Sequence, residues 1–311
     1  MNTHANNTRS PRVVIFNDTH GWHSDQLCRA LLSRGFEPVL SDLAACRIDF
    51  ASPAGIKIPG FDGQLPDAAI VRGIAPGSLE QITLRMDVLH TLAEHQVPVF
   101  NPASAIELTV DKARTSLRLH NAGLPTPATW AVEDWHQAEQ VTVVALSQGH
   151  SLICKPLFGC QGKGLYKIDS LADFKKIHPV GEAWYLQQFV APQQAEYWQD
   201  WRLLVIGDQV VAAMSRQSRH WITNFAQGAQ CFAATVTPEM AELAIRATRC
   251  VEASYAGVDL IRTATGEFSI LEVNSVPAWK GLFQATGIDV AAHIAEMLAN
   301  ASRQSLQINA V

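Results

Sequence analysis

Two stretches near the end of the chain carry its most informative pattern: Ala256-Gly-Val-Asp-Leu-Ile-Arg262 and Phe268-Ser-Ile-Leu-Glu-Val-Asn-Ser275. Both are apolar, and the polar segment around Thr265-Gly266 joins them as a hairpin. Glu272 and Asn274 stand at i and i+2, so they share one face of their strand. Folding about Thr265-Gly266 brings Asp259 opposite residues 271–272. Three hard oxygen donors then converge on an otherwise apolar hairpin. That donor set suits magnesium, which keeps part of its water shell and bridges phosphates. The plainer reading, an ordinary hairpin with a polar outer face, is disfavoured because buried strands rarely carry acids without a use.

Outward from this hairpin the second half of the chain reads as α+β. Trp201–Ile206 and Gln209–Met214 flank Gly207-Asp208, a two-residue type I′ turn signal. Thr237-Pro238 opens a helix running to about Ser254, and a last helix covers about Val290–Asn300. Upstream, the strand ending in Ile153-Cys-Lys-Pro156 leads into Phe158-Gly-Cys-Gln-Gly-Lys-Gly164. Glycines there allow backbone N–H groups to approach an anion, and Lys163 adds charge. The spacing is not that of Walker A, and a strand rather than a helix follows, so it is not a dinucleotide fingerprint either. Alone the pattern is weak, and a tight turn is its plainer reading. Asp111-Lys-Ala-Arg114 opens a helix that Gly123 and Pro125 close. The first hundred residues alternate strands (Arg12–Phe16, Glu37–Leu40, Ala68–Val71, Val97–Phe100) with helices (Ser24 to Leu32, Leu79–Glu94), the pattern of a parallel sheet.

The chain has 311 residues, enough for about two domains at roughly 150 residues each. An apolar fraction of 48% against 17% charged supports a sizeable core. Net charge is −5, which argues against duplex nucleic acid as a partner. Mean hydropathy is +0.04, and no apolar run is long enough to span a bilayer. Residues 1–10 are polar and lack a secretory h-region. The cysteines at 28, 46, 154, 160, 231 and 250 form no Cys-x-x-Cys pair, the usage of a reducing compartment, so a cytoplasmic location is expected. His20 and His23 lack a third ligand nearby in sequence and are not read as a metal site. Residues 1–11 and 301–311 read as tails.

Taken in order, Asn101-Pro102, Asp111-Lys112, Gly123-Leu-Pro-Thr-Pro127, Lys155 with Gly159–Gly164, Gln187-Gln-Phe-Val190, Asp200-Trp-Arg-Leu-Leu-Val-Ile-Gly-Asp208, Asn224 and the closing hairpin with Pro277 resemble the ATP-grasp superfamily, and within it the RimK-type α-L-glutamate ligases. The likeness runs from about Arg12 to about Asn300. It implies a Rossmann-like preliminary domain on the substrate side (12–107), a central lobe with a glycine lid (108–190) and a C-terminal lobe with the magnesium site (191–300). It implies Lys112 and Lys155 on the phosphates of ATP, and Gly159, Gly162, Lys163 and Gly164 in the lid. Gln188 and Phe189 would form the adenine hinge, Asp200 would lie near the ribose, and Asn224 would also touch nucleotide. Asp259, Glu272 and Asn274 would hold magnesium, or manganese in its place. Arg202 and Arg216 match positions that handle the transferred phosphoryl group and the carboxylate.

The implied reaction activates a carboxylate as an acyl phosphate, which an amine then attacks. Phosphoryl transfer asks for positioning and charge neutralisation rather than a protein nucleophile, so Cys160 is not needed. The chain departs from the family around Trp221-Ile-Thr-Asn224, Phe225-Ala-Gln-Gly228 and Ala278-Trp-Lys-Gly281, all bordering the acceptor. Trp279 and Lys280 are therefore read as projecting toward a small, anionic, ring-bearing acceptor such as a pterin or deazaflavin cofactor, with glutamate as the amino acid added. A ribosomal protein's C-terminus is the alternative acceptor, and a non-catalytic ATP-binding module the alternative of another class. Family habit implies a homo-oligomer; neither nucleic acid nor a membrane is expected as a partner.

Overall fold

The computed structural model describes residues 9–159, 162–191 and 196–308. Two compact units emerge, one holding the chain up to Ala103 together with the stretch from Asp289 onward, the other Ser104–Ile288.

The first unit contains β1 (Arg12–Phe16), α1 (Trp22–Leu32), β2 (Glu37–Ser41), the short pair β3 (Arg47–Ile48) and β4 (Ile56–Lys57), then β5 (Ala68–Val71), α2 (Leu79–Glu94) and β6 (Val99–Phe100). Its main sheet is parallel in the order β2-β1-β5-β6. Val13 to Phe16 and Ala68 to Val71 are buried throughout, as strands covered on both faces must be. The capping box expected of a helix start is present at α2, where the Ser78 hydroxyl accepts from the Gln81 N–H and the Gln81 side chain accepts from Ser78 N–H.

The second unit holds all but the first residue of α3 (Ala103–Val110), then α4 (Lys112–Asn121), followed by β7 (Thr129–Val132), α5 (Trp135–Ser147), β8 (Leu152–Lys155), β9 (Tyr166–Ile168), α6 (Leu171–Phe174) and β10 (Trp184–Gln188). These strands form an antiparallel sheet, β7-β10-β8-β9. After it come β11 (Trp198–Ile206), β12 (Gln209–Ser218), β13 (Gln230–Ala233), α7 (Pro238–Cys250), β14 (Tyr255–Arg262), β15 (Phe268–Asn274) and α8 (Lys280–Thr286). They build a five-stranded antiparallel sheet in the order β13-β12-β11-β14-β15. One face of that sheet is a core, where Leu203, Val205, Ala213, Val258, Leu260, Ile270 and Val273 cluster with Met240, Leu243, Ala244 and Ala247 of α7. Alternation along the strands sends Asp200, Arg202, Arg216 and Asp259 to the opposite face.

Three expectations change. The last helix, α9, runs Val290–Ile308 rather than stopping near Asn300, because Ala301-Ser-Arg-Gln-Ser-Leu-Gln307 contains no helix breaker. It packs on α1 and pairs Glu296 with Arg34, so it joins the N-terminal unit instead of the C-terminal lobe. At the β11–β12 turn only Gly207 has positive φ (57°), whereas a type I′ turn needs two such residues. Residues 1–8 of the N-terminal tail lie outside the described residues.

Candidate active site

A cleft lined by both antiparallel sheets of the second unit gathers Lys112, Lys155, Gly159, Gly162, Lys163, Gln188, Phe189, Asp200, Arg216, Asn224, Asp259 and Glu272. These come from stretches spread over the unit, from Lys112 to Glu272, and the fold alone brings them together. Gly164, Arg202, Asn274, Trp279 and Lys280 are not among the lining residues.

Lys112 is the first residue of α4, whose cap Asp111 accepts the Arg114 N–H. Its Nζ donates to the Gly159 carbonyl at 2.6 Å, tying the helix start to the glycine loop. Lys155 ends β8, and its Nζ donates to Gln187 Oε1 at 2.6 Å. Gln187 is a residue that the sequence reading quoted but gave no role. It is 2% exposed, and its Nε2 donates to Thr129 Oγ1 and to the Tyr185 hydroxyl, which shares a 2.8 Å hydrogen bond with Ser116 Oγ. A buried amide hydrogen-bonded to a lysine and two hydroxyls is a support for that lysine. Burial, reinforced by Lys112, pushes the Lys155 ammonium down to about 8 against the pull of Glu272 and Asp259.

At one end of the cleft Phe189 packs with Trp198 (5.3 Å between rings) and edge-on to Trp221 (6.1 Å), and Lys167 Nζ lies 4.6 Å from its ring centroid. The hinge backbone is committed inside the unit, since Gln188 N–H donates to Ala128 O and Phe189 N–H to Ser151 O. Trp198 and Trp221 carry no motif signal; only the tertiary structure shows that they flank Phe189.

The glycine loop needs glycine for space as well as for conformation. Gly162 has φ +69°, and a Cβ there would stand 2.5 Å from Asn224 Oδ1. Cys160 and Gln161 lie outside the described residues.

Asp200, Arg216 and Asp259 of the cleft join Arg202 in a charge network. Arg202 Nε and Nη2 donate to the two Asp259 oxygens, both at 2.7 Å. Arg216 Nε and Nη2 donate to Asp200 at 2.7 and 2.6 Å, and Nη2 also reaches Asp259 Oδ2 at 2.8 Å. The Thr223 hydroxyl donates to Asp200 Oδ2 at 2.7 Å. Burial works to raise the Asp259 carboxyl, but the guanidinium groups of Arg202 and Arg216 overcome it and hold it at about 2. Burial likewise pushes the Asp200 carboxyl up against the pull of Arg216. Two short parallel N–H···O bonds are the geometry of a carboxylate on a guanidinium. Asp200 lines the cleft with Gln188 and Phe189, and its oxygens accept from Arg216 and Thr223.

Asp259 pairs with Glu272 and Gly257 with Asn274 across the hairpin, in the register expected. A bulge follows, because Leu260 pairs with Ile270, so Leu271 is the extra residue. Ile270 stays in the core while Leu271 and Glu272 line the cleft. As a metal seat the donor set is all oxygen. Asn274 Oδ1 accepts the Val276 N–H, leaving one lone pair, and Asp259 already serves two arginines. Among the described residues no group of three or more His, Cys, Asp and Glu is placed for a metal. Two carboxylates and one amide fit a dication that takes the rest of its shell from phosphates and water, the habit of magnesium.

The reading of Trp279 is corrected. Its side chain is 1% exposed, and α8, which follows it, packs on β12 and β13. Pro277, Gly281 and Leu282 are buried beside it in sequence, so the largest apolar surface in the loop turns inward. Lys280 is exposed at the first position of α8 and outside the cleft.

Residues 109–298 match the family model described as a RimK-like ATP-grasp domain. Tetrahydromethanopterin:alpha-L-glutamate ligase of Methanococcus maripaludis is 31% identical over 304 residues, covering 94% of this chain and 99% of that protein. A probable alpha-L-glutamate ligase of Alkalilimnicola ehrlichii is 32% identical over 307 residues, 94% of this chain and 96% of that one. The solved structure of the ATP-grasp ligase PsnB with a phosphomimetic precursor variant, Mg and ADP superposes with a TM-score of 0.73 at 20% identity, over 95% of this chain and 100% of that chain, a likeness of fold. Family model, relatives and fold agree: the chain belongs to the RimK-type α-L-glutamate ligase family of the ATP-grasp superfamily and is a ligase that forms carbon–nitrogen bonds.

Proposed function

We propose that the enzyme joins L-glutamate to the carboxylate of a small, anionic, cofactor-like acceptor, with ATP consumed and magnesium required. The observation that carries this is the cleft itself, where Lys112, Lys155, Arg216 and the glycine loop oppose Asp259 and Glu272. Such a site neutralises and aligns phosphates.

An acceptor carboxylate oxygen attacks the γ-phosphorus of ATP, the bond to the β,γ-bridging oxygen breaks, and ADP leaves. The amine of glutamate then attacks the acyl carbon of the acyl phosphate, an amide forms, and inorganic phosphate departs with the amine proton passing to solvent or phosphate. Lys112 and Lys155 hold phosphate oxygens. Phe189, with Trp198 and Trp221 about it, offers the adenine a face on which to stack. Arg216 neutralises the phosphoryl group in flight, and Arg202 the carboxylate side. Lys163 and the glycines close over the phosphates and exclude water, which would hydrolyse the acyl phosphate. Asp259, Glu272 and Asn274 would hold magnesium, which supplies charge for the transferring phosphoryl group.

Relatives favour a small acceptor over a protein terminus. Besides the tetrahydromethanopterin enzymes, coenzyme gamma-F420-2:alpha-L-glutamate ligase of the same Methanococcus is 31% identical over 223 residues, 71% of this chain and 77% of that protein. The test is glutamate-dependent ADP release with reduced pterin and deazaflavin carboxylates set against a peptide ending in glutamate. Turnover with a cofactor carboxylate and none with the peptide is expected. Turnover with the peptide alone would overturn the choice of acceptor.

A further inference from the structure

We propose that Lys167 is a positioning residue for the nucleotide base: its ammonium, anchored by Asp169, holds the Phe189 ring in the place where adenine meets it. The proposal rests on the ATP reading above and deepens it.

Lys167 of β9 stands in register with Ile153 of β8, and Ile153 with Gln187 of β10. That row lies on the face of the sheet away from the core of Leu152, Cys154, Ile168 and Leu186. Ile153, Gln187 and Leu165, the last two residues before Lys167, line the cleft. Lys167 therefore rises from the cleft face of the sheet. A lysine so placed ordinarily carries its ammonium out to water. Here Nζ lies 4.6 Å from the centroid of the Phe189 ring, within the range of a cation–π contact. Asp169 anchors it: Oδ1 accepts from Lys167 Nζ at 2.8 Å and from Ser151 Oγ at 2.6 Å. Those two donors hold the Asp169 carboxyl below its ordinary range. The Ser151 carbonyl in turn accepts the Phe189 N–H at 2.9 Å. The chain of contacts thus starts on the Phe189 ring and closes on the Phe189 backbone. Trp198, at 5.3 Å, and Trp221, edge-on at 6.1 Å, meet the same ring. Phe189, Trp198 and Trp221 line the cleft, whereas Lys167 and Asp169 are not among the lining residues. A ring fixed in this way needs no ordering when a base stacks on it. In this arrangement Lys167 acts through Phe189 rather than on phosphate.

The experiment compares wild type with Lys167→Met, Lys167→Arg, Asp169→Asn, Phe189→Leu and the double variant of Lys167→Met with Phe189→Leu. Calorimetry measures binding of ATP and of inorganic tripolyphosphate, each with magnesium, and urea titration measures stability. Tripolyphosphate carries the phosphates without the base, so the ratio of the two affinities isolates the base. Lys167→Met is expected to bind ATP about fivefold more weakly, the size of one part-exposed cation–π contact, with tripolyphosphate affinity unchanged. Lys167→Arg should keep the wild-type affinity for ATP, because a guanidinium also stacks on a ring. Asp169→Asn should show the same loss in smaller measure. Lys167→Met should cost nothing further once Phe189 is leucine, because the two act as a pair. Equal losses for ATP and tripolyphosphate would make Lys167 a phosphate ligand and overturn the proposal. So would a Lys167→Met protein with wild-type affinity for both, or a loss that persists undiminished beside Phe189→Leu. Lower stability to urea with an unchanged ratio would leave Lys167 a structural residue only and overturn it as well. Should Lys167→Met not fold, Asp169→Asn decides through the same ratio. If wild type binds ATP no more tightly than tripolyphosphate, the adenine reading of the cleft itself fails. That result is distinct from one in which wild type discriminates and Lys167→Met discriminates equally, where only the role of Lys167 falls.

Discussion

Lys155 makes ATP binding sensitive to alkaline pH. Burial holds its ammonium at about 8 against an ordinary 10.5, and phosphate oxygens brought to Nζ favour the charged form again. One pKa unit corresponds to about 1.4 kcal/mol, so keeping Lys155 charged without nucleotide costs roughly 3 kcal/mol. That figure is a ceiling, because the residue keeps part of its surface toward the cleft. Well below pH 8 the lysine is charged with and without ATP, and affinity is flat. Between about pH 8 and 10.5 ATP binding takes up a proton, and affinity falls by up to about tenfold per pH unit. The same group acts on folding with the opposite sign. In that window the unfolded chain binds the proton that the native lysine has lost, so stability rises with pH through this residue. Calorimetric titrations with magnesium and ATP, in buffers of different ionisation heat, read the proton directly. About one-tenth of a proton should be taken up at pH 7 and about nine-tenths at pH 9. Lys155→Arg, whose guanidinium stays charged, should take up none. No uptake by wild type at pH 9, with affinity level to pH 9.5, would refute the view that burial governs this lysine.

Gln187→Leu removes the acceptor for Lys155 and leaves the Thr129 and Tyr185 hydroxyls without their amide partner, so stability to urea should fall by about 1–3 kcal/mol. Its ATP affinity should begin to fall at a lower pH than in wild type, since a bond to the charged form is lost. Gly162→Ala forces a Cβ to within 2.5 Å of Asn224 Oδ1 at a positive φ. ADP release should drop tenfold or more, and Asn224→Ala in the same chain should recover part of it; no change in Gly162→Ala would mean that the loop does not seat there in turnover. Trp279→Ala opens a core cavity and should cost about 3–5 kcal/mol of stability, with acceptor KM unchanged in the folded fraction. A specific rise in acceptor KM at wild-type stability would contradict its burial.

The elements of the candidate site were legible where chemistry is local. Polar residues stand out inside apolar strands, so Asp259, Glu272 and Asn274 could be read from the hairpin and its turn, down to the pairing of Asp259 with Glu272. Lys112 and Lys155 were marked by their places at a helix start and a strand end, and the glycine loop by composition. Helix and strand positions followed period and punctuation closely; Leu79–Glu94 and Ala68–Val71 agree residue for residue. Short elements, such as α3 and α8, were missed because eight or seven residues carry too little periodicity to separate from a loop.

What the tertiary structure alone decided is which of those polar groups meet. Strict alternation along Phe268–Asn274 would put Ile270 and Glu272 on one face, and the extra residue Leu271 in β15 separates them. The grip of Asp200 on Arg216, and of Asp259 on Arg202, depends on register between β11, β12 and β14, residues up to 57 positions apart. Gln187 beneath Lys155 comes from the pairing of β8 with β10. Trp279 is read as projecting because it follows the hairpin acids, yet its side chain is buried, at the start of a helix that packs on β12 and β13. Local sequence determines propensity, periodicity and the kind of chemistry available. Side-chain partners across strands, and the facing of a loop, depend on non-local packing and on a burial energy that no short window of sequence contains.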